Sequence, residues 1–324
     1  MKLLKLIPDN TNIKFLRWRV PFYVISVLLM VAAVALMVGK GINLGVDFVG
    51  GQSIRMTFVQ EAEAPIAELR EEIESLGYGD PIIQQMGAPN EVAVRLALPD
   101  DESGLGLADR MTREIVSTVQ AAHPDARIDG VESVSGKVSE ELFTTGMLAL
   151  VLAMIGISIY IWVRFEWQFG VGALFALVHD VILTLGLFAL TGMEFDLNIV
   201  AALLTLIGYS LNDNIVVYDR VRENLKKYRK MPLPELLDLS VNETLSRTVV
   251  TSGSLLITLV SLLLLGPDVI FGFTAAITMG IFVGTYSSIF MSTPILIWLG
   301  VTGDSFVPRE SAVDAQERKA RGEV

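Results

Sequence analysis

Residues 169–190 read FGVGALFALVHDVILTLGLFAL, and this stretch decides the class of the chain. Over its 22 residues the only ionisable side chains are His179 and Asp180. About 20 apolar residues in a helix cross the hydrocarbon core of a bilayer. Five more runs of this kind lie around it, at 20–38, 142–163, 197–217, 247–265 and 269–299. The first is too long for a signal-peptide core and lacks a small-residue cleavage site, so it reads as an uncleaved anchor. The last is 31 residues long and is expected to tilt, to kink near Pro294, or to begin outside the hydrocarbon. The composition agrees: of 324 residues, 52% are hydrophobic and only 19% charged, against about 25% charged in soluble domains.

Lysine and arginine placement orients the spans. Five basic residues precede the first span, one (Arg164) separates the second and third, and seven fall between Arg220 and Arg247. The 3–4 and 5–6 connections carry Glu194, Asp196 and Asp268 instead. Both termini, 1–19 and 300–324, are therefore expected to be cytoplasmic, the second as a charged tail without packed structure. The basic and amphipathic stretch 218–246 falls on the same side. It is expected to extend the fourth helix and then, after Pro232 and Pro234, to form a short helix on the membrane surface.

Residues 39–141 are left outside as one soluble insert. They hold 8 basic and 19 acidic residues, so the whole net charge of −11 resides there and the rest of the chain is neutral. That balance disfavours nucleic acid as a partner. Residues 52–59 and 91–98 alternate as strands do, with Ile54, Met56 and Phe58 on one face and Val92, Val94, Leu96 and Leu98 on another. Helical spacing appears at Ile66, Leu69, Ile73 and Leu76, and again at Leu107, Met111, Ile115 and Val119. Residues 81–86 and 127–134 supply two more strands, and 87–90 suits a hairpin turn. The order β-α-β-β-α-β is the ferredoxin-like arrangement. The expected fold is thus a polytopic α-helical membrane protein of six transmembrane helices, with one α+β ferredoxin-like domain between helices 1 and 2. His123, beside Pro124 at a helix end, reads as a surface residue.

The absence of cysteine removes disulfides and thiolate chemistry, and two histidines cannot build a multi-histidine metal centre. No HExxH or Gly-x-Ser-x-Gly occurs, so an enzyme is not expected. Neither a metal nor an organic cofactor is expected. Interest centres on polar groups at membrane depth, where an ionisable side chain costs about 2.5–3.5 kcal/mol on insertion scales. His179 and Asp180 lie near the middle of their span; adjacent on a helix, they point about 100° apart and are not expected to share a partner. Asn212, Asp213 and Asn214 interrupt the fourth run, and Ile215 to Tyr218 argue that the span continues past them. Arg247, Thr251, Ser254, Thr258 and Ser261 share one helical face, a polar stripe that begins at a guanidinium. Gly272, Ala276, Gly280, Gly284 and Ser288 stand four apart, a spacing that lets helices approach closely. An aspartate that meets and leaves Arg247 can take and release protons.

Four stretches together resemble the SecF side of the SecD/SecF protein-export family. They are LLTLIGYSLNDNIVVYDRVREN at 203–224, ETLSRTVVTSGS at 243–254, LVHDVILTLG at 177–186 and GVDFVGG at 45–51. The resemblance runs over residues 15–300. Two departures are Asn214, where the family commonly has threonine, and SGKVSEEL at 135–142, where it commonly has VGPxVGxEL. The resemblance implies a subunit of the bacterial Sec translocase, resident in the cytoplasmic membrane and similar in architecture to resistance-nodulation-division transporters. It implies a complex with SecD that joins SecYEG and SecA, with YajC and YidC as further candidates. The cargo is unfolded preprotein, pulled outward at the expense of the proton motive force after SecA-driven insertion. Protons are the coupling ion. By motif position Asp213 and Arg247 match the family's coupling pair; Asn212, Asn214, His179 and Asp180 are lesser candidates. Gly45, Asp47, Gly50 and Gly51 match its signature loop, which reads as a structural join. Two rival readings remain: half of a proton-coupled exporter of small molecules or lipids, and an assembly scaffold whose polar groups only bond helices.

Overall fold

The computed structural model describes residues 8, 11–86, 88–98 and 104–301. The tail beyond 301, most of 1–10 and Gly87 of the expected hairpin turn lie outside the described residues. Among the described residues, six helices are long and apolar enough to cross a membrane: Phe15–Gly39, Gly136–Arg164, Trp167–Thr191, Leu197–Lys227, Leu233–Leu265 and Phe271–Trp298.

After a 3-10 turn at Phe15–Trp18, helix α1 spans Arg19–Gly39. A one-turn helix α2, Val46–Val49, leads into the sheet domain. There β1 (Gly51–Phe58), α3 (Ile66–Glu74), β2 (Ile82–Gln85), β3 (Glu91–Leu96), α4 (Gly104–Ala122) and β4 (Ala126–Val134) follow in order. The strand order is β2-β3-β1-β4, with every neighbouring pair antiparallel. Ile54 faces Val94, Met56 faces Val92, and the β1–β4 register shifts between Arg55 and Met56. One core joins Ile54, Met56 and Phe58 of β1, Val92 and Val94 of β3, Leu69 and Ile73 of α3, and Met111, Ile115 and Val119 of α4. His123 corrects its surface expectation. It is buried, edge-on to the Phe58 ring at 5.4 Å and between Glu61 and Glu72, each 3.4 Å away. The helix end that was expected to expose it is folded over β1.

The chain then continues as α5 (Gly136–Arg164), α6 (Trp167–Thr191), α7 (Leu197–Lys227), α8 (Leu233–Leu265), α9 (Phe271–Ser287) and α10 (Thr293–Trp298). The spans form two tiers. Half or more of the apolar stretch of α6, α7 and α9 is buried, against 17% for α1 and α5 and 11% for α8. Asp196 caps α7 by accepting from Ile199 N–H at 3.1 Å, and Lys226 and Lys227 sit in its last turn, where cations suit the helix dipole.

One expectation about the spans needs correction. The separate surface helix before the fifth span does not exist: α8 runs unbroken from Leu233 to Leu265. Pro232 and Pro234 sit only at its start, where proline is tolerated, and no later residue breaks it. Leu236, Leu237, Val241 and Leu245 are buried with Tyr218, Val221 and Leu225 of α7. The N-terminal segment covers the same region, with Leu16 N–H donating to Asp238 and Ile13 exchanging two hydrogen bonds with Asn242. The irregularity of the sixth span is a π-turn over Ser288–Ser292, just before Pro294. Proline there has no N–H for the ladder, and a wide turn absorbs the defect.

Candidate functional site

The inner helices carry a polar band through the bundle. Asp180 of α6 is fully buried. Its Oδ2 accepts from Ser210 of α7 at 2.6 Å and Ser287 of α9 at 2.9 Å, and its Oδ1 lies 2.9 Å from His179 Nδ1. The two neighbours thus bond each other and both turn to α9, since the His179 ring lies 6.2 Å from that of Tyr286. Asp180 meets Ser287 and His179 meets Tyr286, so the two reach neighbouring residues of one helix rather than a single partner. Gly284 packs on the group: a Cβ there would stand 3.4 Å from Asp180 Oδ2 and from Ser210, at the edge of ordinary contact.

One turn beyond Ser210, Asp213 is 8% exposed. Thr248 of α8 donates to its Oδ1 at 2.8 Å, and Ser288 of the π-turn donates to its Oδ2 at 2.7 Å. Arg247 is exposed and forms no ion pair with Asp213 among the described residues. Asn214 is buried and donates to the Ser210 carbonyl, whereas Asn212 is exposed and takes no part. Ser252 extends the band by meeting Tyr209 at 2.9 Å and Thr285 at 2.8 Å. Two hydroxyls donate to Asp213, and Arg247 acts on it from a distance without an ion pair among the described residues.

The glycine-rich loop at 45–51 forms a joint. Gly45 N–H donates to the Phe195 carbonyl at 2.8 Å, Phe195 N–H donates to the Asn43 carbonyl at 2.7 Å, and Asp47 accepts from Leu197 N–H at 2.9 Å. Gly50 adopts φ +76° and Gly51 φ +109°. A Cβ on Gly50 would stand 3.0 Å from Gly136 Cα, and one on Gly51 would strike the Leu96 carbonyl.

The family model for the C-terminal region of protein export membrane protein SecD/SecF matches residues 114–302. The SecD/SecF GG-motif model matches residues 35–62. The chain belongs to the SecD/SecF protein-export family. The chain is 44% identical over 308 residues to protein translocase subunit SecF of Rhodobacter capsulatus, covering 92% of each. To the SecF subunit of Pseudomonas aeruginosa it is 38% identical, covering 95% of this chain and 98% of that one. Among solved structures it matches SecDF, a translocon-associated membrane protein from Thermus thermophilus, with TM-score 0.80 and 34% identity. That match covers 91% of this chain but 39% of the SecDF chain.

Within this SecD/SecF-family chain the α8 stripe does occupy one helical face, and that face is the outer one. Arg247, Thr251, Ser254, Thr258 and Ser261 all face outward. Each hydroxyl bonds back to its own helix: Thr251 to the Arg247 carbonyl, Ser254 to Thr251, Thr258 to Ser254 and Ser261 to Ile257. Beside the stripe, the inward polar residues from position 247 onward are Thr248 and Ser252, neither of which its spacing singles out. Their signal was an offset of one and five positions from Arg247, obscured by the longer stripe. The small residues of α9 lie against α7: a Cβ at Gly280 would strike Leu206, and one at Gly272 would stand 3.4 Å from Ile199 Cδ1.

Proposed function

We propose that this chain is the SecF-like subunit of a bacterial Sec translocase, and that it uses the proton motive force, together with SecD, to complete preprotein translocation after SecA-driven insertion. The observation that carries the reading is Asp213, buried at membrane depth on the hydroxyls of Thr248 and Ser288, with Arg247 near enough to act on it electrostatically but forming no ion pair with it among the described residues. Such a carboxylate is expensive to keep in a span and marks an ion or proton path. Proton exchange at Asp213 changes what Thr248 and Ser288 bond to, and so changes how α7 sits against α8 and α9. Asp180, with His179, is a second buried carboxylate in the same band and a reserve site for the proton.

The outward stripe suits a protein partner in the membrane. On α7 Ala201, Thr205, Gly208 and Asn212 form an exposed line, and α7 packs against α8. A Cβ at Gly208 or Gly253 would meet open space. Small and hydroxyl-bearing faces let helices approach closely, so we place SecD there, with Arg247 directed to its spans. SecYEG and SecA complete the working assembly, with YajC and YidC as accessory candidates. No catalytic residue, metal or organic cofactor enters this mechanism.

Strand order β2-β3-β1-β4 supports a ferredoxin-like assignment for residues 39–141. Basic residues on the opposite side of the bundle favour a periplasmic position for that domain and cytoplasmic termini.

The test is Asp213→Asn in vesicles reconstituted with SecD, SecYEG and SecA, after co-purification shows that the complex assembles. We expect loss of the gradient-dependent part of translocation, with the ATP-dependent part intact. A mutant that keeps its full gradient response overturns the coupling role and favours the scaffold reading. Preprotein export unaffected by deleting the chain, with a small molecule or lipid moved instead, favours the exporter.

A further inference from the structure

The sheet domain meets the membrane bundle at an ion pair that the proton-coupling reading does not use. Arg95 of β3 and Glu194 of the α6–α7 connection approach to 3.3 Å, with side chains 11% and 15% exposed. The guanidinium is tied on several sides. Its Nη1 donates to Asn43 Oδ1 at 3.0 Å and to the Leu44 carbonyl at 2.8 Å, and its Nη2 donates to Gln84 Oε1 at 2.9 Å. Gly45 admits the carboxylate, since a Cβ there would stand 2.9 Å from Glu194 Oε1. Leu44 and Phe195 form a parallel backbone bridge beside it.

This cluster holds the start of α7. Two residues after Glu194, Asp196 caps the helix, and Asp47 accepts from its first residue, Leu197. Asp213 lies farther along the same unbroken helix, about 24 Å away at 1.5 Å per residue. On the other side, β3 pairs with both β1 and β2, so a load on Arg95 spreads through the sheet.

We propose that Arg95 and Glu194 are positioning residues of a rigid joint that transmits movement of α7 to the sheet domain. The inference rests on the coupling role of Asp213. The joint converts a shift of α7 into a shift of the domain because the contact is made of backbone bonds and a planar, multiply bonded guanidinium, which deforms little. The charged groups facing Glu194 are Arg95 of β3, Arg55 of β1, Glu132 of β4 and Asp196 at the α7 cap. Burial raises the Glu194 carboxyl above the ordinary range, Arg95 pulls it back, and Asp196 and Glu132 raise it further.

The experiment compares Arg95→Ala, Arg95→Lys and Asp213→Asn in the reconstituted complex, measuring gradient-dependent translocation and proton uptake together. A joint predicts uncoupling: Arg95→Ala takes up protons at the wild-type level but loses gradient-dependent translocation by about 5-fold or more, the low end of coupling between distinct sites. Arg95→Lys, which keeps the charge, recovers part of the loss. Wild-type translocation in Arg95→Ala beside an inactive Asp213→Asn overturns the joint and leaves the coupling reading standing. Parallel loss of proton uptake and translocation in Arg95→Ala also overturns it, since that is what a purely structural residue does. A full gradient response in Asp213→Asn removes the coupling reading, and the joint with it.

Discussion

The inner and outer faces of α8 carry the same chemistry to opposite ends. Thr248 and Ser252 point inward, one to Asp213 and the other to Tyr209 and Thr285. Thr251, Ser254, Thr258 and Ser261 point outward and bond only to their own backbone. A hydroxyl that bonds its own helix carbonyl at i−3 or i−4 is satisfied without a partner and can face lipid or another protein. A hydroxyl that bonds a carboxylate on a neighbouring helix fixes that neighbour. Periodicity detects both faces equally and does not say which is inside.

The comparison breaks most sharply at the Asp213 donors. Replacing Thr248 and Ser288 together by alanine leaves the carboxylate without either hydroxyl. Hydrogen bonds to charged groups contribute about 1.5–3 kcal/mol each. Gradient-dependent translocation is therefore expected to fall by at least an order of magnitude, while Thr258→Ala with Ser261→Ala leaves it unchanged. Equal effects from the two pairs refute the inner–outer distinction.

A second contrast uses glycine. Gly280→Leu forces a side chain into Leu206 across the α7–α9 contact, and overpacking of this kind costs about 1–3 kcal/mol. The purified subunit should unfold at a lower temperature in detergent. Gly253 faces open space, so Gly253→Leu should leave that temperature nearly unchanged and instead reduce co-purification of SecD. Normal SecD recovery with Gly253→Leu removes α8 from the proposed docking face.

The smallest effect is expected from Thr258→Ala and Ser261→Ala in the isolated subunit. Exposed substitutions away from special features stay within about 0.5 kcal/mol. A larger loss, read by thermal unfolding, means that the outward hydroxyls already hold something within the chain.

Much of the architecture was legible because its signals are local. Six apolar runs are visible without any tertiary information, and the ends of α1, α6 and α7 fall within two residues of the runs at 20–38, 169–190 and 197–217, apart from the extension of α7 to Lys227. Ile54, Met56 and Phe58 announced β1 by alternation, and Leu107, Met111, Ile115 and Val119 announced α4 by spacing. The buried carboxylates Asp180 and Asp213 were also legible, since a charge in an apolar run is conspicuous wherever it points. Their partners were not. Ser287, Ser288 and Thr248 are ordinary residues in the chain, and only the packing of four helices brings them to the two aspartates.

Sequence alone determined that the chain crosses a membrane, where its sheet domain is inserted and which acids lie within apolar helices, because hydropathy and period depend on neighbours along the chain. Tertiary structure alone decided that α6, α7 and α9 form the inner tier, that Arg247 faces outward, and that Arg95 reaches Glu194 across 99 positions. Those facts depend on how each helix is rotated about its axis and on which distant segments meet. Rotation follows from the summed packing of every face, and no single stretch of residues encodes it.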